Sequence, residues 1–101
     1  MTGNGAVGAF AVGAGGRWKY AGALTMGNAA RVLAAAQAVP LPDSGIVDFS
    51  GLAQADSAAL ALAIALKRRA AAEGRPIEFA SIPPALMTLA VAYGVEELIA
   101  A

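Results

Sequence analysis

The stretch Ile46 to Leu60, reading IVDFSGLAQADSAAL, constrains the fold more than any other part of the chain. An apolar strand at Ile46 to Phe49 runs into a short turn, an Asp-Ser pair follows, and the chain passes directly into a helix. That order puts the Ser57 hydroxyl at a helix N-terminus, where free backbone N–H groups and the helix dipole favour negative charge. A serine so placed is either a plain helix cap or a phosphorylation or docking switch, and its surroundings decide between them.

The rest of the pattern alternates in the same way. Ala6 to Val12 reads as a weak strand. Gly13 to Gly16 is a turn signal, and Arg17 to Leu24 is the second arm of a hairpin. In that arm Trp18, Tyr20, Gly22 and Leu24 share one face, and Arg17, Lys19 and Ala23 the other. Asn28 is placed to cap a helix from about Ala29 to Val39. Pro40 to Gly45 breaks the chain. The segment from Ser57 to Glu73 is the strongest helix, ended by Gly74 with basic residues in its later turns. Pro76 to Ser81 reads as a strand, and Pro83-Pro84 opens a third helix. Its Leu86, Leu89, Ala90 and Tyr93 recur at helical spacing, and Gly94 ends it. Strand–helix alternation predicts an α/β fold with parallel strand pairs. The expected architecture is a mixed four- or five-stranded sheet covered mainly on one face by three helices. No linker or repeat interrupts it, so a single domain over residues 1–101 is expected.

The helix from Ser57 is apolar on opposite sides, with Leu60 and Ile64 on one and Leu62 and Leu66 on the other. Such a helix is flanked by neighbours within the fold or meets a partner.

Composition narrows the function. The 101 residues are 58% hydrophobic and 14% charged, and seven basic residues balance seven acidic ones. A chain with no net charge offers no general attraction for nucleic acid or an anionic membrane, and an apolar, neutral surface favours association. Without histidine or cysteine, disulfides, thiolate and imidazole metal sites, and catalytic triads are excluded. The acids are scattered, and Glu96-Glu97 reads as a solvated helix end. Gly13 to Gly16 lacks the Lys and Ser/Thr of a phosphate-binding loop. No nucleophile–base pair can be assembled, so the chain is expected not to be an enzyme, with no cofactor and no metal. The longest apolar run, Ala58 to Leu66, falls well short of the ~20 residues that span a bilayer. It meets Lys67-Arg68-Arg69, which with Arg75 reads as a solvated helix end or, more sharply, a headgroup contact. The first residues lack a basic leader pattern, and a cytosolic location is expected.

The constellation resembles the STAS domain, the fold of anti-sigma-factor antagonists and of the cytosolic tails of some anion transporters. Within it the resemblance is to the MlaB type, the small STAS subunit of bacterial Mla phospholipid ABC transporters. Carrying it are Val47-Asp48-Phe49-Ser50, Asp56-Ser57, and Leu60 onward through Lys67-Arg68-Arg69-Ala70 and Gly74-Arg75. Ile77-Glu78-Phe79, Leu86, Leu89-Ala90 and Tyr93-Gly94-Val95-Glu96-Glu97-Leu98 complete it. The resemblance spans roughly residues 17 to 99 and implies a non-catalytic cytosolic subunit, peripheral to the inner membrane through its complex. Such a subunit binds the transporter's ATPase beside a membrane permease, supports assembly and activity, and so serves outer-membrane lipid asymmetry. Many STAS switch loops carry glycine just after the hydroxyl residue, whereas here Ala58 and Ala59 follow. Alanine favours a regular helix over close approach by another backbone. That keeps docking and weakens the alternative, an anti-sigma-factor antagonist switched by phosphorylation of Ser57. The expected docking face joins Asp56, Ser57 and Ala58 to Arg31, Leu33 and Ala34 on the first helix, with Leu33 as an apolar anchor if it is exposed. Trp18 reads as packing.

Overall fold

The computed structural model describes residues 8–100. Strand β1 (Ala9–Val12) turns through a short 3-10 segment at Ala14–Gly16 into β2 (Trp18–Leu24). Helix α1 (Ala29–Gln37), strand β3 (Ile46–Ala55), helix α2 (Ser57–Glu73), strand β4 (Glu78–Ala80), helix α3 (Pro84–Ala92) and helix α4 (Glu96–Ala100) follow. The part of the expected first strand before Gly8 lies outside the described residues.

The four strands form one mixed sheet in the order β1-β2-β3-β4. The hairpin pair β1–β2 is antiparallel, and β2–β3 and β3–β4 are parallel. The crossovers β2–α1–β3 and β3–α2–β4 step the same way along the sheet. Connections of one hand therefore lay α1 and α2 on the same face.

Strand periodicity decides what those helices cover. Pairing sets Val12 beside Trp18, Phe10 beside Tyr20, Trp18 beside Val47, and Val47 beside Phe79. One face of the sheet thus carries a run of aromatic rings across all four strands. Phe10 lies 5.3 Å from Trp18 and 4.8 Å from Tyr20, Tyr20 lies 6.2 Å from Phe49, and Phe49 lies 5.4 Å from Phe79. Edge-on and tilted pairs at these separations are favourable beyond the area they bury. Against them pack Val32 and Ala36 of α1, Leu60, Leu62, Ala63 and Leu66 of α2, Leu86 and Ala90 of α3, and Ile99 of α4. Trp18 is therefore a core residue. The opposite face carries Lys19, Ser50 and Glu78, all exposed.

Strand β4 is shorter than the expected Pro76–Ser81, and α1 ends two residues before the expected Val39; the two larger departures have identifiable reasons. Strand β3 does not stop at Phe49. Ser50-Gly51 looks like a turn, but Gly51 lies within the strand against β2, where a Cβ would come 2.4 Å from the Tyr20 carbonyl oxygen. The pairing slips between Lys19 and Ala21 at this point. A glycine inside a strand marks such a close approach as readily as it marks a turn. The second departure is α4, a fourth helix where Glu96-Glu97 was read as a solvated end. It is one short segment anchored by buried Ile99, too brief to show a period.

Helix α2 is apolar on two sides because it is flanked by neighbours. It packs between α1 and the α3–α4 pair, and Ala59, Leu60, Leu62, Ala63, Leu66 and Ala70 are all buried. The basic cluster is also structural in part. Lys67 donates to the Ile77 carbonyl at 2.8 Å and sits 5.5 Å from the centre of the Phe79 ring. Arg69 donates to the carbonyls of Ala36 at 2.9 Å and Val39 at 2.6 Å, and pairs with Glu73 at 2.8 Å. Only Arg68 and Arg75 are exposed as a solvated helix end would be.

Candidate partner-binding site

The parallel pairing of Leu24 with Ala55 ends β2 and β3 side by side. The turn Thr25–Asn28 and the residues Asp56-Ser57 therefore emerge at one tip of the sheet. Asp56 has an extended backbone, and its two carboxylate oxygens do separate work. Oδ1 accepts from the Ala58 N–H at 2.8 Å, capping α2, and Oδ2 accepts from the Met26 N–H at 3.1 Å, holding the facing turn. The cap is Asp56. Ser57 is the first helical residue, exposed, so of the readings left open for Ser57, that of a plain helix cap falls to Asp56 instead. An Asp one residue earlier, in the extended conformation a cap requires, is better placed to accept from the first turn.

The Thr25–Asn28 turn is tied from beneath. Asn28 does not reach forward to cap α1. Its Oδ1 accepts from the Thr25 N–H at 2.9 Å and its Nδ2 donates to the Ala23 carbonyl at 2.9 Å. The same carbonyl accepts from the buried Tyr20 hydroxyl at 2.6 Å. Burial raises the Tyr20 pKa above the ordinary tyrosine value, against smaller opposing effects of Asn28 and Arg31, so the hydroxyl stays a donor. With its backbone fixed from below, the turn presents the Met26 side chain outward at 80% exposure.

The sequence-derived site residues divide between two places. Asp56, Ser57 and Ala58 stand at this tip. On α1, Ala34 is exposed, Leu33 is half-buried and packed on the core, and Arg31 reaches to the Gly8 carbonyl at 3.4 Å. Leu33 is thus not a free apolar anchor. Met26 is instead the exposed large apolar side chain at the tip, and the sequence reading did not single it out. Its signal was present: an apolar residue in Thr25-Met26-Gly27-Asn28, outside any helix or strand period, has no core position to fill.

A second polar cluster lies on the uncovered sheet face. Buried Asp48 accepts from the Ser50 N–H at 2.8 Å and from Arg17 at 3.3 Å, with Lys19 beside it in register. The Ser50 hydrogen bond, reinforced by Arg17 and Lys19, holds its carboxyl below the ordinary aspartate value. The cluster closes on itself and tethers the β1–β2 hairpin end to β3.

A mixed sheet with helices on one face, and a strand end leading through Asp-Ser into a long helix, define a STAS domain. Over residues 12–100 the chain matches the family described as MlaB, STAS domain, and it belongs to that family. A comparison with curated proteins returns no match. STAS domains are in general non-catalytic protein-interaction modules. No helix among the described residues is long and apolar enough to cross a membrane.

Proposed function

We propose that this chain is the non-catalytic STAS subunit of an Mla-type phospholipid ABC transporter. It docks on the cytoplasmic ATPase and supports assembly and activity of the complex at the inner membrane. The docking surface is the tip formed by Met26, Asp56, Ser57 and Ala58, flanked by Ala34 and Arg31 of α1. The observation that carries this reading is the division of labour at Asp56. Both carboxylate oxygens are engaged within the domain, so the Ser57 hydroxyl is not required for the cap and faces outward beside an exposed methionine. A flexible apolar side chain next to a polar helix start fits a protein surface well. The continuous helix through Ala58 and Ala59 favours docking over a phosphorylation-controlled switch. The reading that the partner is the ATPase rests on the chain's likeness to the MlaB-type STAS domain.

Ser57→Arg, coexpressed with the ATPase and permease of an Mla-type transporter from the same organism, tests the proposal. The variant is expected to fold with an unchanged circular dichroism spectrum and to lose copurification with the ATPase, because a long cation at the tip blocks close approach. A folded Ser57→Arg chain that copurifies at wild-type yield overturns it.

A further inference from the structure

The two edges of the sheet are built differently. At one edge β4 is only three residues long, begins with exposed Glu78, and has α4 packed against it. Short strands, charges and covering helices are the usual protections of an edge. At the other edge β1 reads Ala-Phe-Ala-Val, with no proline and no charge. Val12 is 76% exposed there. Beside this edge, between β1 and α1, runs an apolar cleft of about 620 Å³, lined among others by Phe10, Val12, Val32, Ala36, Val39 and Leu41. Its two ends carry opposite charges. Arg31 lies at the start of β1, donating to the Gly8 carbonyl. Asp43 lies past the end of β1, against Gly16 in the hairpin turn.

We propose that β1 pairs antiparallel with β1 of a second copy of this chain across a two-fold axis, joining two four-stranded sheets into one. Antiparallel pairing of a strand with itself inverts its ends. With Ala11 on the axis, Phe10 faces Val12 of the second copy on the same side of the joined sheet, and the Arg31 end of one cleft meets the Asp43 end of the other. A two-fold interface needs a surface complementary to itself, and a cleft with a cation at one end and a carboxylate at the other is of that kind. The side chain of Val12 lies on the same face of the sheet as Trp18, so each copy brings an exposed valine to the mouth of the other's cleft. The outward N–H and C=O groups of β1, which meet no other strand among the described residues, gain partners, and zero net charge leaves no general repulsion to overcome. A four-residue strand pair with a cleft rim is at the small end of specific interfaces, which sets the dimer in the micromolar range.

Sedimentation equilibrium of the full purified chain, from about 5 μM to about 500 μM at low salt, tests this across the range such affinities require. The expected result is a reversible monomer–dimer equilibrium. Val12→Lys is expected to abolish the dimer, since a lysine on an edge strand opposes pairing. Asp43→Arg and Arg31→Asp each weaken it at least about tenfold, and combining the two reversals restores it to within about threefold. Circular dichroism confirms that each variant is folded, and Asp43, exposed in a loop, carries the test should an α1 or β1 change perturb the domain. A chain that stays monomeric at every concentration overturns the proposal. So does a dimer indifferent to Val12→Lys and Asp43→Arg, which would place the interface elsewhere.

Discussion

Helices α1 and α2 lie side by side on the same sheet, but α2 is closed at both ends by its own residues, whereas the end of α1 is braced by its neighbour. The start of α2 is capped by Asp56, the residue immediately before it. Its end is closed by Gly74 in the left-handed region at φ 65°, with the Gly74 N–H on the Ala71 carbonyl and the Arg75 N–H on the Ala70 carbonyl. That paired closure is the arrangement a glycine makes possible. Helix α1 has neither device. Asn28 turns its side chain back to Thr25 and Ala23, and no glycine follows Gln37. The Ala35 and Ala36 carbonyls meet the N–H groups of Ala38 and Val39 in a tightened last turn, and Arg69, a side chain of α2, adds donors to the Ala36 carbonyl and to that of Val39 just beyond the helix. Helix ends leave unpaired backbone groups that something must satisfy. Here α2 satisfies its own and part of its neighbour's, which makes α2 the element on which the helical layer depends.

The strongest test of that dependence hollows the buried side of α2. Leu66 has no measurable exposure and packs in the shared core. Leu66→Ala is expected to cost about 3 kcal/mol, combining lost transfer energy with the cavity left behind. Urea denaturation measures it. Because α1 leans on α2, amide exchange should quicken in both helices together. Loss of protection in α2 alone would break the comparison.

A smaller and more local effect separates the two kinds of helix end. Arg69→Ala removes the donors that meet Ala36 and Val39 and is expected to cost about 1–2 kcal/mol. Faster exchange should be confined to the last turn of α1, around Ala38 and Val39. Arg69→Lys recovers only part of this, because a single ammonium cannot span two carbonyls and Glu73 as a planar fork does. Asp56→Ala is expected to cost about 1 kcal/mol, with faster exchange at Ala58 and Met26. Proton exchange followed by NMR reads both. If Arg69→Ala loosened α2 instead, the direction of support would be the reverse of that argued here.

The same contrast explains what the sequence could show. Ser57 to Glu73 was legible to the residue because its start and stop signals are contiguous with it. For α1 the expected end at Val39 overshot by two residues, because the last turn tightens at Ala38 and Val39 ahead of Pro40, and the Arg69 side chain that braces it lies some thirty residues away on α2. The mixed sheet followed from the hairpin and the strand–helix alternation, and the aromatic face of β2 from alternation of side chains. The full length of β3 did not, because Gly51 serves a close approach to Tyr20 that only the paired strand reveals. At the tip, Asp56-Ser57 announced a helix start, yet the sequence could not divide capping from exposure between two adjacent polar residues. Nor could it show that Leu33 turns inward, since that depends on how α1 seats against the core. Lys67 and Arg69 looked like solvent-facing charges for a similar reason: the carbonyls they serve belong to other elements.

The smallest expected effect is the one that separates the two residues of the tip. If Asp56 alone caps α2, then Ser57→Ala removes a hydroxyl from an exposed first-turn position and replaces it with the residue of highest helix propensity. The expected change in unfolding free energy is within about 0.5 kcal/mol of zero, against the loss of about 1 kcal/mol for Asp56→Ala. Urea titrations of the two variants in parallel resolve a difference of that size only if the slopes agree, so equal slopes are part of the expected outcome. A Ser57→Ala cost equal to that of Asp56→Ala would mean that the hydroxyl shares the cap. The tip would then be built for stability first, and the argument that Ser57 is left free for a partner would lose its footing. A neutral Ser57→Ala that weakens copurification with the ATPase would instead assign the hydroxyl to the interface and the carboxylate to the fold.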